Sequence, residues 1–278
     1  MAAGTLVHAG PRRVAIIDWA VLETVLALGL TPMAATELIQ FRKIVVEPEV
    51  PAGVADLGLR GAPNYELLRI LGPDIILISN FYEPKRRQFE RIAAVHSLPV
   101  YQPSEPPYRL AVDAVSTLGE LLGRHDAAQH YLAETEAELE RLRQGLSSNA
   151  VRRAFVIMMG DTRHLQAFGH DSMFGEVMQR LGIANAWTHD TRYSAAAPVG
   201  VEALAQAPDA AIVIVSPLPP EFQRTQASNA IWQALPAVQR GQVAVIPSVN
   251  HFGGLPSARR FARLFEGAIR NMGRVRHE

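Results

Sequence analysis

The 278-residue chain has no cysteine, and this absence excludes several kinds of site together. A disulfide scaffold, an iron–sulfur cluster, thiolate-bound zinc and a cysteine nucleophile all require the thiol group. The chain also has no excess of either charge, because 27 Lys and Arg residues balance 27 Asp and Glu residues. Proteins that bind nucleic acids or anionic membranes generally carry surplus positive charge. The composition therefore argues against a polyanionic partner.

Long hydrophobic runs are missing as well, and none reaches the roughly 18 apolar residues that span a bilayer. Residues 1–10 show neither the basic start nor the apolar centre of an export signal. We therefore expect either a cytosolic protein or the mature part of an exported one.

Common catalytic motifs are absent too. The sequence contains no Gly-x-x-x-x-Gly-Lys-Ser/Thr loop, no Gly-x-Ser-x-Gly turn and no His-Glu-x-x-His pair. The first predicted strand–helix turn, Asp18-Trp19-Ala20, lacks the glycines that let a backbone approach a pyrophosphate. We therefore do not expect nucleotide binding.

The sequence does contain a regular alternation of strand and helix patterns. Strands are predicted at 13–18, 74–79, 98–101, 153–159, 211–215 and 242–249, and helices at 21–28, 63–71, 85–95, 172–181 and 256–272. Such alternation favours parallel sheets covered by helices. The sequence therefore predicts an α/β protein with two lobes and mostly parallel sheets.

One segment between these two blocks differs in composition. Residues 126–147 are rich in Glu, Ala, Leu and Arg, and spacings of three and four residues define a single seam along a helix. The seam consists of Leu132, Thr135, Leu139, Leu142 and Leu146. An ordinary surface helix or a coiled coil fits the pattern, but its position favours a stiff connector. We predict an N-terminal lobe over 12–124, a connecting helix over 125–148 and a C-terminal lobe over 149–275.

Polar and aromatic side chains lie at strand ends and in comparable loops of the two halves, where α/β folds place ligands. These residues are Arg60, Phe81, Tyr82, Trp187, Tyr193, His251 and Phe252. A guanidinium and a phenol among aromatic rings suit a ligand with many oxygen atoms and apolar surroundings. Taken singly, each residue also fits a surface ion pair or a loop rim, so the prediction depends on their joint placement.

One protein family resembles this chain in the sequence and the order of several segments. Four segments of the first half resemble the substrate-binding proteins of iron-siderophore ABC importers: residues 13–19, 22–32, 56–68 and 72–76. In the second half, residues 163–165, 168–169, 172–174, 182–187 and 232–238 resemble, within that class, the periplasmic ferric hydroxamate (ferrichrome-type) binding proteins. The resemblance extends from Val14 to Ile269.

The resemblance implies two α/β lobes, one long connecting helix and a shallow ligand cleft between the lobes. By position, Arg60 and Tyr82 match the residues that hydrogen-bond the hydroxamate oxygens in the family. Since the siderophore supplies every iron ligand, the resemblance implies no metal ligand and no cofactor in the protein. Family members often have cleft tryptophans at positions that here hold Ile44, Ile78, Ser194 and Asn250. Tyr193, His251 and Phe252 adjoin two of these positions and are expected to replace the tryptophans.

The resemblance also implies partners and a location. It implies a non-enzymatic, monomeric, periplasmic protein that delivers a siderophore to an inner-membrane ABC permease and binds no nucleic acid. Family members present one acidic residue per lobe to the permease, and Glu202 fits the C-terminal position. Arg87 stands where the N-terminal acid is expected, so Glu83 or Glu90 is the candidate there.

Two alternatives remain open on the sequence. The first is a protein of the same transporter class that binds haem or another metal chelate, with Tyr82, His164 or His251 as the axial ligand. The second is a metal-dependent enzyme on the same architecture, in which His164, His170 and His251 converge on an ion.

Overall fold

The computed structural model describes residues 13–102, 105–189, 191 and 199–274. The chain forms two β-sheets that follow one another in sequence, each flanked by helices. This arrangement confirms the predicted α/β class. No helix among the residues so described is long and apolar enough to cross a membrane.

The first sheet has five parallel strands in the order β3-β2-β1-β4-β5. The strands are β1 (Val14–Ile16), β2 (Ala34–Ala35), β3 (Ala55–Asp56), β4 (Ile75–Ser79) and β5 (Ala94–Leu98). The helices are α1 (Trp19–Ala27), α2 (Leu38–Ile44), α3 (Tyr65–Leu71) and α4 (Arg86–Glu90), with a 3₁₀ helix at Asn80–Lys85 before α4. Strand β4 is buried over its whole length and pairs with β1 and β5, which explains its continuous run of β-branched and leucine residues.

One predicted helix is wrong in its second half. The pattern predicts a helix over 85–95 and a strand over 98–101, but α4 ends at Glu90 and β5 occupies Ala94–Leu98. A short apolar run fits a helix and a strand equally well when it is considered alone. Parallel pairing with β4, from Ala94 beside Ile75 to Leu98 beside Ser79, decides the outcome.

Two helices link the sheets: α5 (Pro107–Leu121) and α6 (His125–Gly145). The long helix predicted over 126–147 is therefore confirmed as α6. Its predicted seam faces inward, because Thr135 is 1% exposed and Leu139 is 4% exposed. The predicted boundaries of the lobes at 124 and 149 stay a prediction.

The second sheet is mixed, with the order β11-β10-β6-β7-β9 and β8 also paired to β6. Its strands are β6 (Arg153–Met159), β7 (His164–Ala167), β8 (Ala184–Asn185), β9 (Val199–Gly200), β10 (Ala211–Val215) and β11 (Val243–Ile246). The helices are α7 (Met173–Arg180), α8 (Pro220–Thr225), α9 (Ala230–Gln233), α10 (Pro236–Gln239) and α11 (Leu255–Arg274), with a 3₁₀ helix at Val201–Gln206. Strands β8, β10 and β11 run parallel to their partners, whereas β7 is antiparallel to both β6 and β9.

The C-terminal helix α11 does not pack only on its own sheet. It contacts α1, α5, α6, α7 and β11. Its Phe261 and Phe265 belong to the same buried cluster as Trp19 and Val25 of α1 and Phe174 of α7. The largest apolar cluster therefore joins the helices of both sheets.

Candidate functional site

The candidate site begins at the carboxyl edge of the first sheet. Because all five strands are parallel, the segments that follow them meet at one edge. These segments supply Asp18 and Trp19 after β1, Glu37 after β2, Arg60 after β3, Phe81 and Tyr82 after β4, and Tyr101 after β5.

Arg60 is held from two sides. Its Nε donates to Glu37 Oε2 at 2.6 Å, and its backbone N–H donates to Glu37 Oε1 at 3.0 Å. Its guanidinium carbon lies 3.8 Å from the centre of the Trp19 ring, a cation–π distance. The indole of Trp19 is itself fixed, since its N–H donates to the Thr36 carbonyl at 3.1 Å. Arg60 is therefore a positioned cation with a third of its side chain exposed.

Tyr82 lies within electrostatic reach of Arg60. The pKa of Tyr82 is raised to about 12, chiefly by burial and also by the charge of Asp18, while Arg60 opposes the rise through its charge and a hydrogen bond. The phenol is therefore neutral at physiological pH, with an O–H that can donate and an oxygen that can accept.

Asp18 links two strand ends at this edge through hydrogen bonds. Its Oδ1 accepts the N–H groups of Ala20 and Val21 at the start of α1, and its Oδ2 accepts the Ser79 hydroxyl at 2.8 Å. Burial raises the pKa of Asp18, although these hydrogen bonds oppose the rise. The side chain ties the end of β1 to the end of β4, next to Tyr82.

An aromatic cluster continues the site toward the loop after β11. The Phe252 ring lies 6.1 Å from that of Phe81 and 5.2 Å from that of Tyr101, edge to face in both pairs. The Tyr101 hydroxyl donates to the His251 carbonyl at 2.7 Å. Burial lowers the pKa of His251 to about 4, so its ring is neutral at physiological pH. The ends of the two sheets therefore meet at this aromatic surface.

The loop that carries His251 and Phe252 is tightly built. The side-chain Oδ1 of Asn250 accepts the Phe252 N–H at 3.3 Å, and the backbone carbonyl of Asn250 accepts the Gly253 N–H at 3.1 Å. At Gly254 a Cβ would lie 2.9 Å from Thr24 Oγ1, so the glycine permits a close approach to α1. The loop geometry places His251 and Phe252 against the first sheet.

The structure brings together five of the predicted residues: Arg60, Phe81, Tyr82, His251 and Phe252. Asn250 is buried and serves the turn just described. Tyr193 and Ser194 lie outside the described residues.

Three other predicted residues have different surroundings. Ile44 is half-buried at the end of α2 and packs on the large apolar cluster. Ile78 is 0% exposed inside the core of the first sheet, because β4 is covered on both faces, so its side chain offers no surface to a ligand. Trp187 is buried near β8, and its ring contacts His189 at 5.4 Å. It lines a cavity of about 500 Å³ that includes neither Arg60 nor Tyr82.

Sequence reasoning missed Trp19, Glu37 and Tyr101 as parts of this surface. Trp19 follows the predicted strand 13–18 and Tyr101 is the last residue of the predicted strand 98–101, so their positions carried a usable signal. Glu37 follows a strand of only two residues, Ala34–Ala35, which no periodicity can reveal. Only the three-dimensional pairing of β2 with β1 and β3 identifies its place.

The acidic residues predicted to meet a permease are exposed. Glu202 lies in the first turn of the Val201–Gln206 helix. Glu83 and Glu90 both pair with Arg86, at 3.0 Å and 2.8 Å. That shared partner offsets part of their charge, and the docking role of all three stays a prediction.

The histidines named for a metal-dependent enzyme do not form a metal site. Within the part of the chain that the structure describes, no group of three or more His, Asp or Glu residues is placed to hold an ion. The His164 ring instead pairs with Asp161 at 2.9 Å on the surface, and His251 packs against Phe168 at 5.5 Å.

Comparison with known proteins gives consistent results. A family model described as periplasmic binding protein matches residues 14–249. The iron(3+)-hydroxamate-binding protein FhuD of Escherichia coli (strain K12) is 29% identical over 259 residues, which are 93% of this chain and 87% of that protein. The Fe(3+)-citrate-binding protein YfmC of Bacillus subtilis (strain 168) is 25% identical over 246 residues, or 86% and 74% of the two chains.

A solved structure agrees over almost the whole chain. The siderophore-binding protein FhuD from Vibrio cholerae, crystallised with Fe³⁺–Desferal, has a TM-score of 0.88 at 26% identity. The alignment covers 95% of this chain and 100% of that chain. The likeness therefore includes both sheets and the long helix between them.

Proposed function

Because this chain belongs to the periplasmic binding protein family, we propose that it captures an iron(III)–hydroxamate siderophore between its two lobes and delivers it to an ABC importer. The observation that carries the proposal is that Arg60, held by Glu37 and Trp19, lies with Tyr82 at the carboxyl edge of the first sheet, beside an aromatic surface. The similarity to relatives named for iron(3+)-hydroxamate and Fe³⁺–Desferal supports the same ligand class.

The chemistry of these two residues suits a ferric hydroxamate. Three hydroxamates fill the iron coordination sphere and neutralise its charge, so the ligand presents electron-rich oxygens rather than a bare cation. A guanidinium fork and a neutral phenol can each donate to such oxygens. The iron then stays on its chelator, and the protein contributes hydrogen bonds.

Apolar side chains supply the remaining contact. Phe81 is 50% exposed and Leu59, directly before Arg60, is 65% exposed. Exposed apolar groups grouped around a few polar donors are typical of ligand sites, because the ligand removes their surface from water. The carbon backbone of a siderophore is a suitable partner for them.

The proposal also concerns the location, oligomeric state and partner of the protein. It is a periplasmic, monomeric carrier without catalytic activity, and its partner is an inner-membrane permease. Glu202 and the Glu83–Glu90 region are the proposed contacts with that permease. The family consists of substrate-binding transport proteins, which supports a carrier role over catalysis.

Titration with ferrichrome and with ferric desferrioxamine, followed by tryptophan fluorescence, tests the proposal. Trp19 lies under Arg60, so a coloured iron complex bound there should quench it at micromolar concentration. The Trp19→Phe variant should lose most of the signal, and calorimetry measures its affinity independently of fluorescence. Trp232→Phe, a change in the second sheet's own core, is the matched control and should keep the quenching. Absence of binding to both complexes would contradict the proposal, and a Soret band after haem addition would favour the haem alternative.

A further inference from the structure

Glu37 is the residue from which a further property of the site follows. Both of its carboxylate oxygens are engaged with Arg60, one on Nε at 2.6 Å and one on the backbone N–H at 3.0 Å. The contact uses Nε, so the two terminal nitrogens of the guanidinium are left for other partners. Only 17% of the Glu37 side chain is exposed, and water screens the pair weakly on that side.

The backbone of Glu37 is shaped for this contact. Its φ of 51° and ψ of 42° lie in the left-handed region, which is unfavourable for a residue with a Cβ atom. Residues held in such conformations are concentrated at functional sites. The Glu37 N–H is anchored on the Gly58 carbonyl at 2.9 Å, within the turn that leads to Arg60.

Helix capping does not explain the residue. Glu37 occupies the N-cap position of α2, yet its side chain makes no capping hydrogen bond there. Asp56 fills that role, since its Oδ2 accepts the Leu38 N–H at 3.1 Å. The Glu37 carboxylate is therefore directed to Arg60 rather than to its own helix.

The consequence concerns charge. Arg60 brings one positive charge to the aromatic surface, and Glu37 brings one negative charge into direct contact with it. A ligand that approaches Tyr82 and Arg60 meets hydrogen-bond donors whose long-range field is largely cancelled. An unpaired guanidinium at the same place would attract anions over several ångströms, the more strongly where water is excluded.

We propose that Glu37 is a specificity-determining residue, which pairs with Arg60 so that the site accepts neutral ferric trihydroxamates and disfavours anionic ferric chelates. This inference rests on the proposed function, because it concerns selectivity among ferric complexes at the same site. Glu37 acts through Arg60 and is a positioning residue with respect to the ligand.

The test compares two ferric complexes of opposite character: ferrichrome, which is neutral, and a ferric tricatecholate, which is trianionic. Dissociation constants are measured for the wild type, Glu37→Gln, Glu37→Asp and Glu140→Gln. Glutamine keeps an acceptor for the Arg60 N–H without the charge, and aspartate keeps the charge. Glu140→Gln is the matched control, because Glu140 pairs with Arg143 at 2.7 Å on the exposed face of α6.

We expect Glu37→Gln to tighten tricatecholate binding about tenfold relative to ferrichrome, with a gain that shrinks as salt is raised. Glu37→Asp and Glu140→Gln should keep the wild-type ratio of the two constants. A Glu37→Gln variant whose affinities for both complexes fall equally, or do not change, overturns the inference about Glu37. In that case, ferrichrome binding by the wild type still leaves the proposed function standing. A wild type that binds neither complex overturns both.

Discussion

At the scale of single residues, Arg60 shows why a guanidinium rather than any cation suits this site. Its planar group stacks 3.8 Å above Trp19 while its Nε donates to Glu37, and both contacts use the shape of the group. Lysine carries the same charge on a compact ammonium, which can neither stack in this way nor offer a fork of donors.

Replacement of Arg60 by lysine should therefore weaken ferric hydroxamate binding by roughly 1.5–3 kcal/mol, the range for a hydrogen bond to a charged group. Calorimetric titration with ferrichrome measures the change. Arg143→Lys is the control, since Arg143 makes a similar pair with Glu140 on the exposed surface of α6. If Arg60→Lys binds ferrichrome as tightly as the control variant does, the Arg60 guanidinium does not contribute to binding.

Sequence alone could nominate site residues where a family-like motif or a strong strand pattern carried them, and their role in binding stays a prediction. Arg60 lies within a segment of family-like sequence, and Tyr82 follows a strong apolar strand, so both could be identified. Glu37 could not, because its role depends on a turn geometry and on the pairing of two-residue strands. The prediction that Ile78 contacts the ligand is wrong for a related reason. Its position along β4 does not reveal that the sheet is covered on both faces.

At the scale of elements, the start of α11 is tied to α1 by one buried side chain. Glu23 of α1 is 0% exposed and accepts the Gly254 N–H, the Ser257 N–H at 3.3 Å and the Ser257 hydroxyl at 2.7 Å. A carboxyl group from one helix thus satisfies the free N–H groups at the beginning of another. The tie also fixes the loop that carries His251 and Phe252.

This tie predicts a pH dependence of stability. Burial raises the pKa of Glu23 from 4.5 to about 8, against the opposing effect of its hydrogen bonds. The folded state therefore favours the neutral carboxyl, and its stabilisation is complete below pH 4.5 and is lost as the pH rises to about 8. Glu23 alone should therefore lower the free energy of unfolding across this window by up to about 5 kcal/mol. The lowered pKa of His251 acts in the opposite direction up to pH 6.5, so the net fall should be steepest between pH 6.5 and 8.

Urea unfolding at a series of pH values measures this slope. Glu23→Gln should remove most of it, because glutamine still accepts the Gly254 N–H but does not titrate. Glu66→Gln, at an exposed glutamate in the first turn of α3, should keep the wild-type slope. Equal slopes for Glu23→Gln and the wild type would show that Glu23 does not titrate in this range.

Elements were predicted best where the pattern was long. The α6 helix extends over 21 residues and β4 is a continuous apolar run, and both were found within a few positions. The two-residue strands β2 and β3 have no pattern of their own. Strand β5 was misplaced because pairing with β4, rather than local preference, determines its extent.

At the scale of the whole molecule, α11 joins the two sheets into one structure. Its Arg259 donates to Glu138 of α6 at 2.7 Å, and its Arg263 contacts both Glu138, at 3.1 Å, and Glu47 from the segment after α2. Together with the shared apolar cluster, these contacts span elements from both halves of the chain. Large independent movements of the lobes would break them.

The lobes should therefore unfold together. In urea, the loss of helix by circular dichroism and the change in tryptophan fluorescence should share one midpoint. Trp19 belongs to the large apolar cluster, whereas Trp187 and Trp232 both belong to the core of the second sheet. The comparison is therefore repeated in Trp19→Phe, which leaves only reporters of the second sheet, and in a Trp187→Phe/Trp232→Phe double variant, which leaves only Trp19. Two separate midpoints within one variant would show that the lobes are independent folding units.

We propose that a ferric hydroxamate binds against Arg60 and Tyr82 on one side and the His251–Phe252 loop on the other. A crystal structure of the protein with ferrichrome tests it most directly. We expect hydroxamate oxygens within about 3 Å of the Arg60 guanidinium and the Tyr82 hydroxyl, with Phe252 against the ligand. Ferrichrome bound elsewhere, for example in the cavity beside Trp187, or iron coordinated by a protein side chain, would contradict it.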